Sequence, residues 1–385
     1  MVVEPKVRGF ICTTAHPVGC KENVKRQIDY VKKSGQIRGP KKVLVIGGST
    51  GYGLASRITA TFGCGASTIG IMFEKLPTEK RPATPGWYNT QAFEQFAAKD
   101  GYYAKTINGD AFSKEVKEKA IEIIRKDLGQ VDMVIYSLAA PRRTMPDGSV
   151  CSSVLKTTGG TFINKSLDLR TNQIIEASIP VATDDEVKDT VKVMGGEDWF
   201  DWIMALSEAN VLTNNCKTIA FSYIGPELTY PVYFNGTIGM AKKHLYDTSC
   251  KITQSFSNVH AYISVNKALV TQASSAIPIV PLYMAILYKV MKEKGIHEDC
   301  IRQINRLFHE KWRSGEPETD MEGKIRLDDY EMRTDVQEDV MHRWDAINTE
   351  NINELADLTG YWDDFYHMFG FGFDNVNYME DISLI

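Results

Sequence analysis

The stretch from Lys41 to Ile58, KKVLVIGGSTGYGLASRI, constrains this chain more than any other. Val43, Leu44, Val45 and Ile46 form an unbroken apolar run, as a parallel strand buried on both faces requires. Glycines follow at 47, 48, 51 and 53, after which Leu54, Ile58 and Phe62 recur at helical spacing. Strand, glycine turn and helix in that order present backbone N–H groups and a helix N-terminus to a pyrophosphate. The glycines at 47, 51 and 53 read G-x3-G-x-G rather than the dinucleotide fingerprint G-x-G-x-x-G, and any tight strand-to-helix turn also wants glycine.

The next strand supplies the second half of a nucleotide site. Thr68 to Phe73 reads as a strand ending in Glu74, 21 residues after Gly53 (74 − 53). A carboxylate there accepts hydrogen bonds from the adenosine ribose hydroxyls of NAD and repels a 2′-phosphate. Lys75, Lys80 and Arg81 follow directly and leave NADP tolerable.

The alternation then continues. Tyr102 to Ile107 reads as a strand closed by the turn Asn108-Gly109-Asp110-Ala111, and Ser113 caps a helix that turns Val116, Ala120, Ile123 and Ile124 inward and ends at Gly129. Val131 to Tyr136 leads into Ser137-Leu138-Ala139-Ala140, small residues that permit close backbone approach. The pattern predicts an α/β fold, a Rossmann-type doubly wound parallel sheet. Between Pro141 and the next clear strand at Thr218 lie 76 residues (218 − 141 − 1), where one crossover helix would use about 30. The surplus predicts an inserted segment over 141–214, with a hairpin turning at Arg170-Thr171-Asn172 and helix near 184–210. Leaving from the carboxyl edge of the fourth strand, it is expected to cover the substrate. The whole chain reads as one domain: a Rossmann core at 41–140 and 215–295, the insertion, and a C-terminal helical extension at 296–385. That extension holds a strand at 325–327 and a helix capped by Thr334 with Gln337 in capping-box position.

Bulk properties narrow the partners. A net charge of −5 gives no reason to expect nucleic acid or an anionic membrane. Seven scattered cysteines suit reduced thiols and a cytoplasmic location, and no signal-peptide pattern opens the sequence. Cys12, His16 and Cys20 lie four apart without a C-x2-C pair, so no metal is expected. The longest apolar run, Ala276 to Val290, carries Pro278 and Pro281 and falls short of the roughly 20 residues of a membrane helix, so it reads as a buried helix.

Two tyrosine–lysine pairs are candidates for a proton donor with a neighbouring cation. Tyr288 and Lys292 have the closer spacing, with Ser275 upstream, but they fall too late for the strand after 131–136 and read as helix core or surface. Tyr233 and Lys242 come directly after that strand.

The wider tyrosine-to-lysine gap resembles that of enoyl reductases, and the glycine turn resembles that of the short-chain dehydrogenase/reductase superfamily. Over its whole length the chain resembles the trans-2-enoyl-CoA reductase family, which includes the V-type enoyl-[acyl-carrier-protein] reductases. The segments that carry this are Lys6 to Cys12, His16-Pro17, the turn at 47–53, Pro85 to Asn89, Gly109 to Phe112, Val191 to Trp199, Ser222 to Glu227, the Tyr233/Lys242 pair and Val290 to Gly295. The resemblance implies a monomer that reduces the C=C bond of a trans-2-enoyl-CoA with NADH. It implies that Gly47, Gly48, Ser49, Thr50, Gly51 and Tyr52 hold the pyrophosphate, Phe73 and Glu74 the adenosine, Asp110 and Ala111 the adenine, and Leu138 and Ala139 the nicotinamide side. Lys242, Leu269, Val270 and Thr271 complete the cofactor site. Tyr233 corresponds to the proton donor and Tyr223 to a substrate-contacting tyrosine, here expected as a second donor to the enolate oxygen, with Lys242 lowering the tyrosine pKa. An acyl-carrier-protein reductase of fatty-acid synthesis is the alternative, which a basic rim built from Lys156, Lys165, Arg170, Lys242 and Lys243 would mark; a non-catalytic NAD sensor is a third.

Overall fold

The computed structural model describes residues 1–312 and 315–384. Seven strands form its central sheet: β1 (Lys42–Ile46), β2 (Ser67–Met72), β3 (Ala104–Asn108), β4 (Val131–Tyr136), β5 (Leu212–Ser222), β6 (Val259–Val265) and β7 (Lys324–Arg326). Their order across the sheet is 7-6-5-4-1-2-3, and every pairing is parallel. The chain therefore reverses direction of growth between β1 and β4, and the carboxyl ends of those two strands open a crevice.

The apolar run of β1 is buried on both faces because each face meets helices. Val43 and Val45 pack with α1 (Pro17–Ser34), α2 (Gly51–Ile58) and α3 (Pro85–Lys99) through Val24, Ile28, Leu54, Ile58 and Phe93. Leu44 and Ile46 face the other way, toward α4 (Lys114–Ile123) and Trp199 and Trp202 of the insertion. This period-two division of one strand between two cores is what a doubly wound sheet demands. Ser113 caps α4 as expected, accepting the Val116 N–H at 3.2 Å, and Gly129 leaves the helical region at φ +76°.

Between β4 and β5 the chain makes two antiparallel hairpins and two helices. The first hairpin pairs Arg142–Thr144 with Val150–Ser152; the second pairs Phe162–Asp168 with Gln173–Ile179, turning through Asn172 at φ +55°. Helix α5 (Asp184–Met194) starts in a full capping box between Thr183 and Glu186, and α6 (Glu197–Glu208) follows almost without a break. After β5 come α7 (Thr237–Ser255), and after β6 the apolar α8 (Val280–Glu293), with Pro281 in its first turn.

The stretch after 296 is more than appended helix. Helix α9 (Cys300–Arg306) packs Ile301 and Ile304 on the sheet, and β7 is the sheet's outer strand beside β6. Helix α10 (Thr334–Ala346) and a helix over Leu358–Met368 clasp α8 with Val336, Val340, Trp344, Tyr361 and Phe365. One expectation fails here. Thr334 is the first helical residue of α10, not its cap, and no side chain caps that end. Gln337 is instead drawn inward, donating to the Tyr283 hydroxyl at 3.2 Å and to the Glu331 carbonyl at 2.7 Å.

Cys12 donates to the Thr14 carbonyl and His16 accepts the Gly19 N–H at the start of α1. Among the described residues no group of His, Cys, Asp and Glu is arranged to hold a metal ion, and no helix is long and apolar enough to cross a membrane.

Candidate active site

A cleft of about 800 Å³ opens at the carboxyl ends of β1 and β4. The glycine turn forms its floor. Gly47 stands at φ +82° with a Cβ position only 2.3 Å from the Ser137 carbonyl, and a Cβ on Gly53 would lie 1.9 Å from the Gly47 carbonyl. No other residue lets the turn lie against β4 and the first turn of α2 at once.

Of the residues expected at the cofactor and substrate positions, Gly47, Ser49, Thr50, Gly51, Tyr52, Phe73, Glu74, Asp110, Ala111, Leu138, Ala139, Tyr223, Tyr233, Lys242, Leu269, Val270 and Thr271 all line the cleft. Gly48 does not; it lies under the turn against Val45, its N–H donating to the Ile71 carbonyl. Glu74 accepts from the Ser49 hydroxyl at 2.6 Å, and its backbone N–H donates to Asn108. Phe73 is 78% exposed at the rim, an apolar ring with nothing of the protein over most of it. Asp110 caps its own turn by accepting the Phe112 N–H.

The cleft suits a dinucleotide. Besides the glycine floor, Asn89 Oδ1 and Asn266 Nδ2 are buried there without a hydrogen-bond partner among the described residues, the state of groups that a bound molecule completes. Lys242, half-buried on α7, donates to the Phe221 carbonyl at 3.0 Å, and burial lowers its ammonium to about 8.

Tyr233 lies in the loop between β5 and α7 and is 7% exposed. Its ring meets that of Tyr223 edge to face, with centroids 4.9 Å apart. Burial pushes the Tyr233 phenol up, so at neutral pH it is a protonated donor. Two of these side chains have hydrogen-bond partners other than those expected. Lys242 turns to a backbone carbonyl and does not hydrogen-bond Tyr233, so the phenol is not held down by a neighbouring cation. Tyr223, expected as a second donor into the cleft, gives its hydroxyl to Glu331 Oε1 at 2.9 Å.

Several cleft residues were not anticipated. Asn266 and Lys267 follow β6, and Asp364, His367 and Met368 come from the helix over Leu358–Met368. Burial lowers the Lys267 ammonium to about 8, against the opposing pull of Glu331. The i, i+3, i+4 spacing of 364, 367 and 368 was a visible signal that one face of this helix looks at a common point. Tyr288, set aside as core, is fully buried; its hydroxyl donates to Asp364 at 2.8 Å and accepts the Val270 N–H at 3.1 Å. Ile277, Val280 and Met284 give the cleft an apolar wall beside the tyrosines.

Comparison with known proteins agrees with this geometry. Residues 81–312 match the family described as the trans-2-enoyl-CoA reductase catalytic region, and residues 2–79 match its NAD(P)H binding domain. The chain belongs to the trans-2-enoyl-CoA reductase family. Among curated members, the enoyl-[acyl-carrier-protein] reductase [NADH] of Flavobacterium psychrophilum is 56% identical over all of this chain and 98% of its own length. The trans-2-enoyl-CoA reductase [NADH] of Ruminiclostridium cellulolyticum is 52% identical with the same coverage. The solved structure of the Treponema denticola trans-2-enoyl-CoA reductase in complex with NAD superposes with a TM-score of 0.96 at 48% identity, covering 99% of this chain and 98% of that one.

Within the family, residues 319–382 match a region described as an enoyl reductase FAD binding domain. These residues do not fit a flavin. Their helices spend their apolar faces on α8, they give the main cleft only Asp364, His367 and Met368, and among the described residues they hold no glycine turn between strand and helix.

Proposed function

We propose that this member of the family reduces the C=C bond of a trans-2-enoyl-CoA, such as crotonyl-CoA, to the acyl-CoA at the expense of NADH. One observation carries the reading: a buried, protonated Tyr233 and the glycine turn share a single cleft whose wall beside the tyrosine is apolar. Gly47, Ser49, Thr50, Gly51 and Tyr52 would hold the pyrophosphate, Glu74 and Phe73 the adenosine, Asp110 and Ala111 the adenine, and Leu138, Ala139, Lys242 and 269–271 the nicotinamide half. Bound there, reduced nicotinamide would supply a hydride for the β-carbon of the enoyl thioester, the α-carbon taking the proton. Negative charge then builds on the thioester oxygen, where the Tyr233 hydroxyl donates a hydrogen bond and is the proton source for the enolate. The apolar wall at Ile277, Val280 and Met284 excludes water from that oxygen and strengthens the bond. Lys242, fixed by Phe221, contributes its charge to the cofactor side of the cleft rather than to the phenol.

Coenzyme A is taken as the carrier, since most of the cations weighed for an acidic carrier protein's rim have partners within the chain, while Arg170 stays 77% exposed. Lys156 pairs with Glu186, Lys165 caps three carbonyls at the end of α10, Arg170 pairs with Asp168, and Lys242 is turned inward, leaving Lys243. We further propose that the chain acts as a monomer in a reducing cytoplasm, consistent with its seven unpaired cysteines, and that 1–385 works as one catalytic unit with 141–214 covering the substrate.

The test is Tyr233→Phe. Turnover of crotonyl-CoA should fall by about 10² to 10⁴ while the KM for NADH stays within about twofold. Near-normal turnover would remove Tyr233 from the chemistry.

A further inference from the structure

Glu331 is a carboxylate with no access to solvent, in the loop between β7 and α10, and it joins three walls of the cleft. Its Oε1 accepts the hydroxyl of Tyr223, from the end of β5, at 2.9 Å, and the hydroxyl of Tyr283, from α8, at 2.7 Å. Its Oε2 accepts the backbone N–H of Ala268 at 2.6 Å, immediately before 269–271. The direction of these bonds follows from the donors available. Gln337 donates to the Tyr283 oxygen, so the Tyr283 hydrogen goes to Glu331. Burial pushes the Glu331 carboxyl up against the opposing pull of Lys267, and three donors converge on its two oxygens, so the Tyr223 hydrogen is also spent on it. Tyr223 thus has no proton to give to a substrate in this arrangement. What it offers the cleft is its ring, packed edge to face on that of Tyr233.

We propose that Glu331 is a positioning residue for enoyl reduction: it pins Tyr223 by the hydroxyl and, through the ring of Tyr223, holds the Tyr233 phenol in place. The inference rests on the functional reading above and assigns a role to a residue from the segment named for a flavin. It predicts that Glu331 and Tyr223 act on turnover as one unit.

The experiment is a double-mutant cycle in the full-length enzyme, with NADH and crotonyl-CoA both saturating. Tyr223→Phe keeps the ring and loses the pin; Glu331→Ala removes the anchor. Each should lower kcat by about tenfold, as the loss of a hydrogen bond to a charged group allows, with the KM for NADH within about twofold. The double variant should lose about tenfold and not the product, about a hundredfold. Should Glu331→Ala not be recovered folded, Glu331→Leu, which fills more of the space and offers no acceptor, replaces it in the cycle and carries the same expectation of non-additivity with Tyr223→Phe. Asp364→Asn is the comparison, because Asp364 lines the same cleft yet bonds Tyr288 rather than Tyr223. Its loss should multiply with that of Tyr223→Phe. Multiplicative losses for Glu331, unchanged kcat on replacing it, or equal coupling for Asp364 would each overturn the proposal. A wild-type enzyme inactive on enoyl thioesters would overturn the functional reading itself, which is a separate result.

Discussion

At the scale of single residues, the proposed function places the cofactor chemistry on two groups. Glu74 lies at the end of β2 with Ser49 on one oxygen, so replacing it by alanine removes both a ribose acceptor and the charge that repels a 2′-phosphate. Glu74→Ala should raise the KM for NADH and lower the NADH/NADPH ratio of kcat/KM by about tenfold or more; an unchanged ratio would show that another group selects the cofactor. Lys242 is the second. A cation whose pKa is lowered to about 8 is charged below that pH and neutral above it, so kcat/KM for NADH should fall as pH rises through about 8. Lys242→Arg keeps the charge at all accessible pH and should move that basic limb up by more than about one unit. A limb that stays near 8 would assign it to Lys267, lowered to about 8 as well. The residues of the glycine turn and Glu74 were legible in the sequence because local order fixes their use. Glu331 was not, since its partners lie 108, 48 and 63 residues away and only the folded chain brings them together.

At the scale of elements, the sheet was legible because apolar runs and glycine turns recur in β1 to β4 at short intervals. The strand expected at 325–327 stands at Lys324–Arg326, but its place in the sheet and the start of α10 show where local reading stops. A three-residue strand such as β7 has its place decided by pairing with β6, not by its own sequence. The capping pattern at Thr334 and Gln337 lost to the inward pull of Tyr283 and the Glu331 carbonyl on the glutamine amide. The element that ties this region to the sheet is α9. Arg306, 6% exposed, donates to both oxygens of Glu298, to Asp329 and to the Leu327 carbonyl. Arg306→Leu leaves Glu298 buried with, among the described residues, only Gln303 as a donor, and should cost about 3 to 5 kcal/mol in urea unfolding, with the midpoint falling. A loss below about 1 kcal/mol would show that this join does not hold the C-terminal region.

At the scale of the whole molecule, the C-terminal region, the insertion and the sheet enclose one cleft, and the apolar cluster around α8 is common to the first two. This explains why family resemblance runs the length of the chain and why the carrier is the finest question left to chemistry. Relatives of similar identity bear either carrier's name. The pairing of Lys156 and Lys165 within the chain supports the CoA ester as the proposed substrate. The most direct test is the rate of NADH oxidation, followed by its absorbance, with crotonyl-CoA and with crotonyl-acyl-carrier-protein at matched concentrations. The account predicts a kcat/KM at least about tenfold higher for the CoA ester. A preference for the carrier-protein ester would contradict it and assign the enzyme to fatty-acid synthesis, and no turnover with either would mean an NAD-binding protein without this chemistry.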